Sequence, residues 1–472
     1  MLKLRSFYLI TILGVGIFLI NVVKFSSLHH SRIPDKDRLQ EQPSMPSTEI
    51  KGLAFPGFLD NFPELLKVSL DDFRPLLLTS RGRVPKQIVI AIPVAQRKKD
   101  YTLATLESLF NGTRVEDRKD VVFIVMLAYN DERITSALDK SAEIMNRFPE
   151  EVAAGLLEVI AVPMAWYQID VANVPPTLND SSSRMYWRTK QNIDYIYLMT
   201  YGCERTNFYL QVEDDIEAAP EYLRIIKNYI TFNEKRPWFL MEFSELGFIG
   251  KLFRCVDVKA VTSTIALYYR FKPVDWILDD MLRSRYCALG EPHEKCLAAI
   301  AKWRIRSSSP QFQHIGNVSS LDGKIQPLQE SAFGKGRSKG HRGNPLAMIS
   351  TSMTAYGLHS AQKGYSENVA MCFLGAIKGD FLYIQFNPLV NVTGLMFLSG
   401  VAPAPNGKLG PETIVYGYDI ENREIRLGSF SKEGDFVMRM NGKLLSSLRI
   451  LVTRAIRRRI SIDHIFIEKA PS

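Results

Sequence analysis

A chain of 472 residues, 46% hydrophobic and 23% charged, has room for two or three domains and is too apolar to be disordered throughout. Its net charge of +9 invites a nucleic-acid partner, but no zinc-ligand array or RNA-binding signature accompanies the charge, and nucleic acid is set aside. Anionic diphosphate substrates or an anionic membrane surface account for the basic balance equally well.

Lys3 and Arg5 precede an almost unbroken apolar run, 7–23, which Lys24 closes. At ~1.5 Å per residue this is the short end of what crosses a bilayer. The pattern predicts a type II signal anchor, with residues 1–6 as a cytosolic tail and the bulk of the chain lumenal. A cleaved signal peptide is the alternative, but no small-residue cleavage site is evident. Residues 24–84 read as a stem, polar and Pro-containing at first, with short helices expected toward Leu78 where leucines and aromatics return.

The first buried strand is expected over Ile88–Ile92, ended by Pro93. Arg97, Lys98 and Lys99 follow in a turn, before a helix with apolar positions at Leu103, Leu106 and Phe110. Strands at 121–127 and 157–162 flank a helix over 134–148. This alternation predicts right-handed crossovers in a mostly parallel α/β sheet. No Gly-x-Gly-x-x-Gly is present, so the dinucleotide fingerprint is absent. After a loop from Trp166 to Ser183, a helix is expected over 187–199. Arg188 and Lys190 near its start oppose the helix dipole, which implies a nearby anion or simple solvation.

The most informative stretch is NFYLQVEDDIEAAP, 207–220. Phe208–Val212 reads as a strand running into Glu213, Asp214 and Asp215, with Pro220 in the first turn of the next helix. Acids at the carboxyl edge of an α/β sheet stand where ligands bind in such folds. Three adjacent carboxylates repel unless a cation lies among them, and hard oxygens suit Mg²⁺ or Mn²⁺ carrying phosphate. A solvated acidic turn capping the helix is the alternative.

A strand over 238–243 leads to Gly247 and Gly250, which would allow close backbone approach to a ligand or serve a plain turn. Asp275 opens a helix that it could cap. His314, in PQFQHIG, has an aromatic-rich flank, and a lone histidine there is expected in core or surface rather than as a ligand. Of five cysteines, Cys287 and Cys296 enclose a short polar segment and are expected to pair in an oxidising lumen. His293 between them suggests zinc, but the spacing is not a finger. Cys203, Cys255 and Cys372 are odd in number, so at least one is a buried thiol or bonds another chain. Asn111, Asn179, Asn317 and Asn391 head glycosylation sequons.

The glycine-rich basic stretch 334–343 divides the chain. Beyond it, at 344–472, short strands at 381–386, 394–398, 413–416, 424–427, 436–440, 448–452 and 460–467 predict a β-sandwich. Arg457 to Arg459 are expected on a charged strand edge.

Several stretches together carry a resemblance. WRTKQNIDYIYLM at 187–199, YLQVEDDI at 209–216, EFSELGFIGKLF at 242–253, KPVDWILDDML at 272–282 and FQHIGNVSSLDGKIQ at 312–326 resemble the N-acetylglucosaminyltransferase IV family, from about Ile88 to the C-terminus. The resemblance implies a Golgi type II membrane enzyme with a GT-A-like nucleotide-sugar-binding domain at 85–333 and a lectin-like β-sandwich at 344–472. Such enzymes move GlcNAc from UDP-GlcNAc in β1,4 linkage to the α1,3-mannose arm of N-glycans on glycoproteins. It implies Asp215 as direct ligand to Mn²⁺, Glu213 and Asp214 near the nucleotide or behind the metal, and Asp275 as catalytic base. Arg97, in the basic turn, is a candidate for binding the donor.

This chain departs from the family before His314, where it reads SSSPQFQHIG. It departs again in the sandwich, at Ser399-Gly400-Val401, at Asn406-Gly407-Lys408, and near Phe373, where a tryptophan is missing. An aspartate and an aromatic are what sugar sites generally use, so weak glycan binding by the sandwich is expected. A second reading follows: a catalytically silent lumenal homologue that binds other Golgi glycosyltransferases or glycans.

Overall fold

The computed structural model describes residues 60–82, 86–130, 135–307, 310–321, 328–330, 333, 344–356, 361–367, 369–400 and 406–470. The expected tail and anchor, the stem up to 59 and the basic linker 334–343 lie outside the described residues. Among the described residues no helix is long and apolar enough to cross a membrane.

Ten strands and eight helices form the first part of the described chain. They are β1 (Leu76–Leu77), β2 (Lys86–Val94), α1 (Thr102–Asn111), β3 (Val121–Leu127), α2 (Thr135–Arg147), α3 (Pro149–Ala153), β4 (Leu157–Ala161), α4 (Ser182–Gly202), β5 (Thr206–Gln211), β6 (Ile216–Ala218), α5 (Tyr222–Phe232), β7 (Leu240–Glu242), β8 (Lys251–Arg254), α6 (Cys255–Tyr268), α7 (Val274–Tyr286), α8 (His293–Ala301), β9 (Arg304–Arg306) and β10 (Phe312–His314). Eight of the strands make one sheet in the order β1-β4-β3-β2-β5-β8-β7-β9, while β6 pairs with β10 apart from it. The run β4-β3-β2-β5 is parallel, and β8 is antiparallel to both of its neighbours. All seven residues of β3 are buried, as a parallel strand covered on both faces requires. Along β2 the side chains alternate between two cores. Ile88, Ile90 and Ile92 pack into one with Leu106, Ile144 and Ile226, and Val89 and Ala91 into the other with Ile196, Ile265 and Ile277.

Three expectations shift for identifiable reasons. Pro93 lies inside β2 rather than ending it, in register with Met126, and Val94 still accepts a hydrogen bond from Ala128. Helix α4 begins at Ser182, not Trp187, because the Ser181 hydroxyl accepts from the Arg184 N–H as an N-cap. Arg188 and Lys190 therefore sit inside the helix, where they pair with Asp180 at 2.9 Å and Asp194 at 2.8 Å and have no helix-end field to oppose. Pro220 stays outside α5: the acids are followed first by β6, held by its pairing with β10, and the helix starts after Glu221.

The C-terminal part comprises β11 (Ala347–Thr351), α9 (Ala361–Glu367), β12 (Met371–Phe373), β13 (Phe381–Ser399), β14 (Thr413–Tyr418), β15 (Glu424–Ser429), β16 (Asp435–Val452) and β17 (Ile460–Lys469). These strands form an antiparallel sheet in the order β12-β17-β13-β16-β14-β15, with β11 also on β13, around a core of its own. Two pairs of expected short strands are single long ones. Phe381–Phe386 and Gly394–Leu398 both lie in β13, and 436–440 and 448–452 both lie in β16, because the polar residues between them form irregularities in a continuous ladder rather than turns. Arg457 to Arg459 are in the exposed turn before β17, not on an edge, and Arg459 lies 4.0 Å over the Tyr356 ring.

Helix α5 joins the two parts. Phe232 packs on Phe466 and accepts at its carbonyl from Arg439, while buried Arg224 pairs with Asp435. Lys408, from the loop that departs from the family pattern, pairs with Glu221.

Candidate active site

The site forms where β5 leaves the sheet. Val212 N–H still bonds to the Ala91 carbonyl, and the next three residues are Glu213, Asp214 and Asp215. Their backbone is tied down by Thr105 of α1, whose hydroxyl donates to the Asp214 carbonyl at 2.9 Å and accepts from Ile216 N–H at 3.0 Å. Strand β10 then pairs with β6, opposing His314 to Ile216, and Ile315 N–H bonds to the Asp215 carbonyl at 2.8 Å. This pairing brings His314 Nε2 to 3.4 Å from Asp215 Oδ2. Gly316 follows so closely that a Cβ there would lie 2.1 Å from Asp215 Oδ2.

Arg97, from the turn after β2, bridges the acids. One guanidinium nitrogen meets Asp215 Oδ2 at 2.8 Å and the other meets Asp214 Oδ1. Asp214 thus faces Arg97, whereas Glu213, Asp215 and His314 turn ligand atoms to within 4.8 Å of one another. Asp215 Oδ1 is buried with no hydrogen-bond partner. An orphaned carboxylate oxygen beside a second carboxylate and an imidazole fits a divalent cation.

The titration of these groups reflects that crowding. Burial, then Asp215, push Glu213 up to about 7, against the opposing pull of His314 and Arg97. Burial raises Asp214 well above the carboxylate range, with Arg97 opposing it. Burial works against Asp215 too, but the His314 hydrogen bond and Arg97 hold it below its ordinary value. Burial would depress His314, and the bond to Asp215 outweighs it and raises the imidazole.

The turn carrying Gly247 and Gly250 covers the acids. Gly247 has φ +42°, and a Cβ on it would stand 3.7 Å from Glu213 Oε1. Tyr195 OH donates to the same oxygen at 3.5 Å. Asp275 is the second residue of α7, and its carboxylate accepts from Trp276 N–H at 3.0 Å. The helix is preceded by Pro273, so Asp275 is not its N-cap. Burial raises the Asp275 carboxyl, and its charge raises Glu213 and Tyr195 in turn, which puts it within electrostatic reach of the acids. A cavity of about 740 Å³ opens beside Arg97, lined also by Asp100, Tyr129, Lys140 and Ser319.

Arg97, Glu213, Asp214 and Asp215 therefore meet in one place. His314, Gly316 and Thr105 are the residues that sequence reasoning left out. The signal for His314 was its place in a short aromatic stretch ended by glycine, but only the β6–β10 pairing aims it at Asp215. Asn111, Asn179, Asn317 and Asn391 are all exposed. Cys287 bonds Cys296 and Cys203 bonds Cys255, so neither Cys287 nor Cys296 is a zinc ligand with His293, and Cys372 is buried outside both bridges.

The model of the MGAT4 conserved region matches residues 54–333. Alpha-1,3-mannosyl-glycoprotein 4-beta-N-acetylglucosaminyltransferase A of Macaca fascicularis is 35% identical over 80% of this chain and 70% of its own. The B enzyme of Mus musculus is 34% identical over 79% and 68%. Among solved structures, a CBM32 module of a Clostridium perfringens family 31 glycoside hydrolase aligns with 26% of this chain and 94% of its own, at 9% identity and a TM-score of 0.22.

Proposed function

The chain belongs to the family defined by the MGAT4 conserved region, and from that premise we propose that it is an inverting β1,4-N-acetylglucosaminyltransferase acting on the α1,3-mannose arm of N-glycans. The donor is UDP-GlcNAc, the acceptor an N-glycan on a glycoprotein, and the 85–333 part a GT-A-like domain. The observation that carries this reading is the meeting of Glu213, Asp215 and His314 with Arg97 at the carboxyl end of β5, beside an open cavity. The first basic residues and apolar run support a single-pass type II anchor, with the site on the lumenal side of the Golgi membrane.

Glu213, Asp215 and His314 would hold Mn²⁺, which when bound offsets the charge that develops on a departing diphosphate. Arg97 is poised to neutralise Asp214 or to meet donor phosphate, and the cavity beside it suits the nucleotide. An α-linked donor and a β product require one in-line displacement, so a carboxylate must take the proton of the acceptor hydroxyl. Asp275 has that role: burial raises its basicity, and a hydrogen bond to the backbone orients it. The Gly247 turn closes over Glu213 without a side chain to obstruct the donor.

The test is UDP-GlcNAc transfer to a defined N-glycan, with calorimetry of UDP and Mn²⁺. Asp215→Asn should weaken Mn²⁺-dependent UDP binding together with transfer. Asp275→Asn should leave that binding nearly unchanged and cut turnover by ~10²–10⁴-fold. Transfer at the parental rate by Asp275→Asn removes the base from this residue. A parent that neither binds UDP nor transfers would leave the silent homologue, a partner of other Golgi glycosyltransferases, as the better account.

A further inference from the structure

The carboxylate of Glu330, 5% exposed, accepts at Oε1 from three groups of one turn: Ser244 Oγ at 2.8 Å, Glu245 N–H, and Leu246 N–H at 3.3 Å. That turn leads to Gly247 over Glu213. The Glu330 N–H donates to Gln313 Oε1 at 3.1 Å, and Gln313 adjoins His314 in β10. His314 Nε2 in turn faces Asp215 Oδ2 at 3.4 Å. Glu330 thus touches both segments that frame the acids, and no part of the proposed chemistry uses it.

We propose that Glu330 is a positioning residue, a strap that ties the strand carrying His314 to the turn above Glu213. A single carboxylate oxygen taking two backbone N–H groups and a hydroxyl is strongly held, because each bond to a carboxylate is charge-assisted. With Glu330 seated, its N–H holds Gln313, and the strand that carries His314 keeps its place against Asp215. Without the anchor the turn regains its own freedom and the hold on Gln313 loosens. The strap itself stands on contacts in the protein alone, and its consequence for metal binding rests on the function proposed above.

The test uses the full chain with ¹⁵N-labelled histidine, where seven histidines keep the imidazole spectrum assignable through His314→Asn. In metal-free Glu330→Ala the His314 ring resonances should shift or broaden as its strand loosens, and the amides of Glu245 and Leu246 should exchange at least ~10-fold faster. Mn²⁺ affinity in the presence of UDP should fall by ~10–100-fold, the usual loss when the support of a ligand is removed. If the alanine variant does not fold, Glu330→Asp, whose carboxylate is withdrawn by one carbon, is read in the same way. Unchanged His314 resonances with Glu245 and Leu246 still protected would overturn the proposal, whether or not the parent binds Mn²⁺. Failure of the parent to bind Mn²⁺ would count against the metal reading alone, since the strap is judged on the metal-free spectra.

Discussion

Replacing Glu242 with glutamine removes the carboxylate that holds three cations together at the end of β7. Glu242 is buried and lies 3.3 Å from Lys251, bidentate to Arg304 at 2.7 Å, and 3.0 Å from Arg306. Burial alone would raise its pKa, but Lys251 and the two arginines prevail and bring it from the ordinary 4.5 to about 2. Because the folded value lies below the unfolded one, Glu242 stabilises the protein at and above pH 4.5, and that contribution is lost as pH falls from 4.5 through 2. The gap between the two values is worth about 3 kcal/mol, in line with the roughly 3–5 kcal/mol for removing one partner of a buried pair. Burial already depresses the Lys251 amine, so in the variant it can shed its proton and limit the cost. Glu242→Gln should therefore be about 3 kcal/mol less stable than the parent at pH 7, and roughly half of that difference should have closed by pH 3. Denaturant unfolding with disulfides intact, run on both proteins from pH 7 to pH 3, measures it. A difference that stays constant down to pH 3 would refute the reasoning, since only the loss of a titrating carboxylate makes the curves converge.

Two further perturbations probe the site and its frame. Gly316→Ala would set a methyl group 2.1 Å from Asp215 Oδ2, so calorimetry should find Mn²⁺-dependent UDP binding lost with far-UV circular dichroism retained. Reducing the two disulfides one at a time by Cys→Ser should show unequal costs in denaturant. The Cys203–Cys255 bridge closes 52 residues and should contribute about 4 kcal/mol, against about 3 kcal/mol for Cys287–Cys296, which closes 9.

Part of the first sheet was legible in the chain because β3 is wholly apolar and β2 is apolar over Ile88–Val94. Val121–Leu127 reads as a buried strand in any window, and it is one. The acids at 213–215 were legible too, since three carboxylates ending an apolar strand have few structural uses. Local pattern determines those features, because burial of a continuous apolar strand and repulsion between adjacent charges both act within a few residues. The tertiary structure decided which side chains join them. His314 stands about a hundred residues from Asp215, and its aromatic flank in sequence does not aim it there; the β6–β10 pairing does. Cys203 finds Cys255 only because α4 and α6 pack on one face of the sheet. The long strands β13 and β16 were divided in sequence because polar residues look like turns, while ladder hydrogen bonds from neighbours carry the backbone through them. Composition and periodicity determine which segments are strands or helices and which are charged. Contacts between residues far apart in the chain have no local signature, and so the completed site and its strap appear only when the chain is folded.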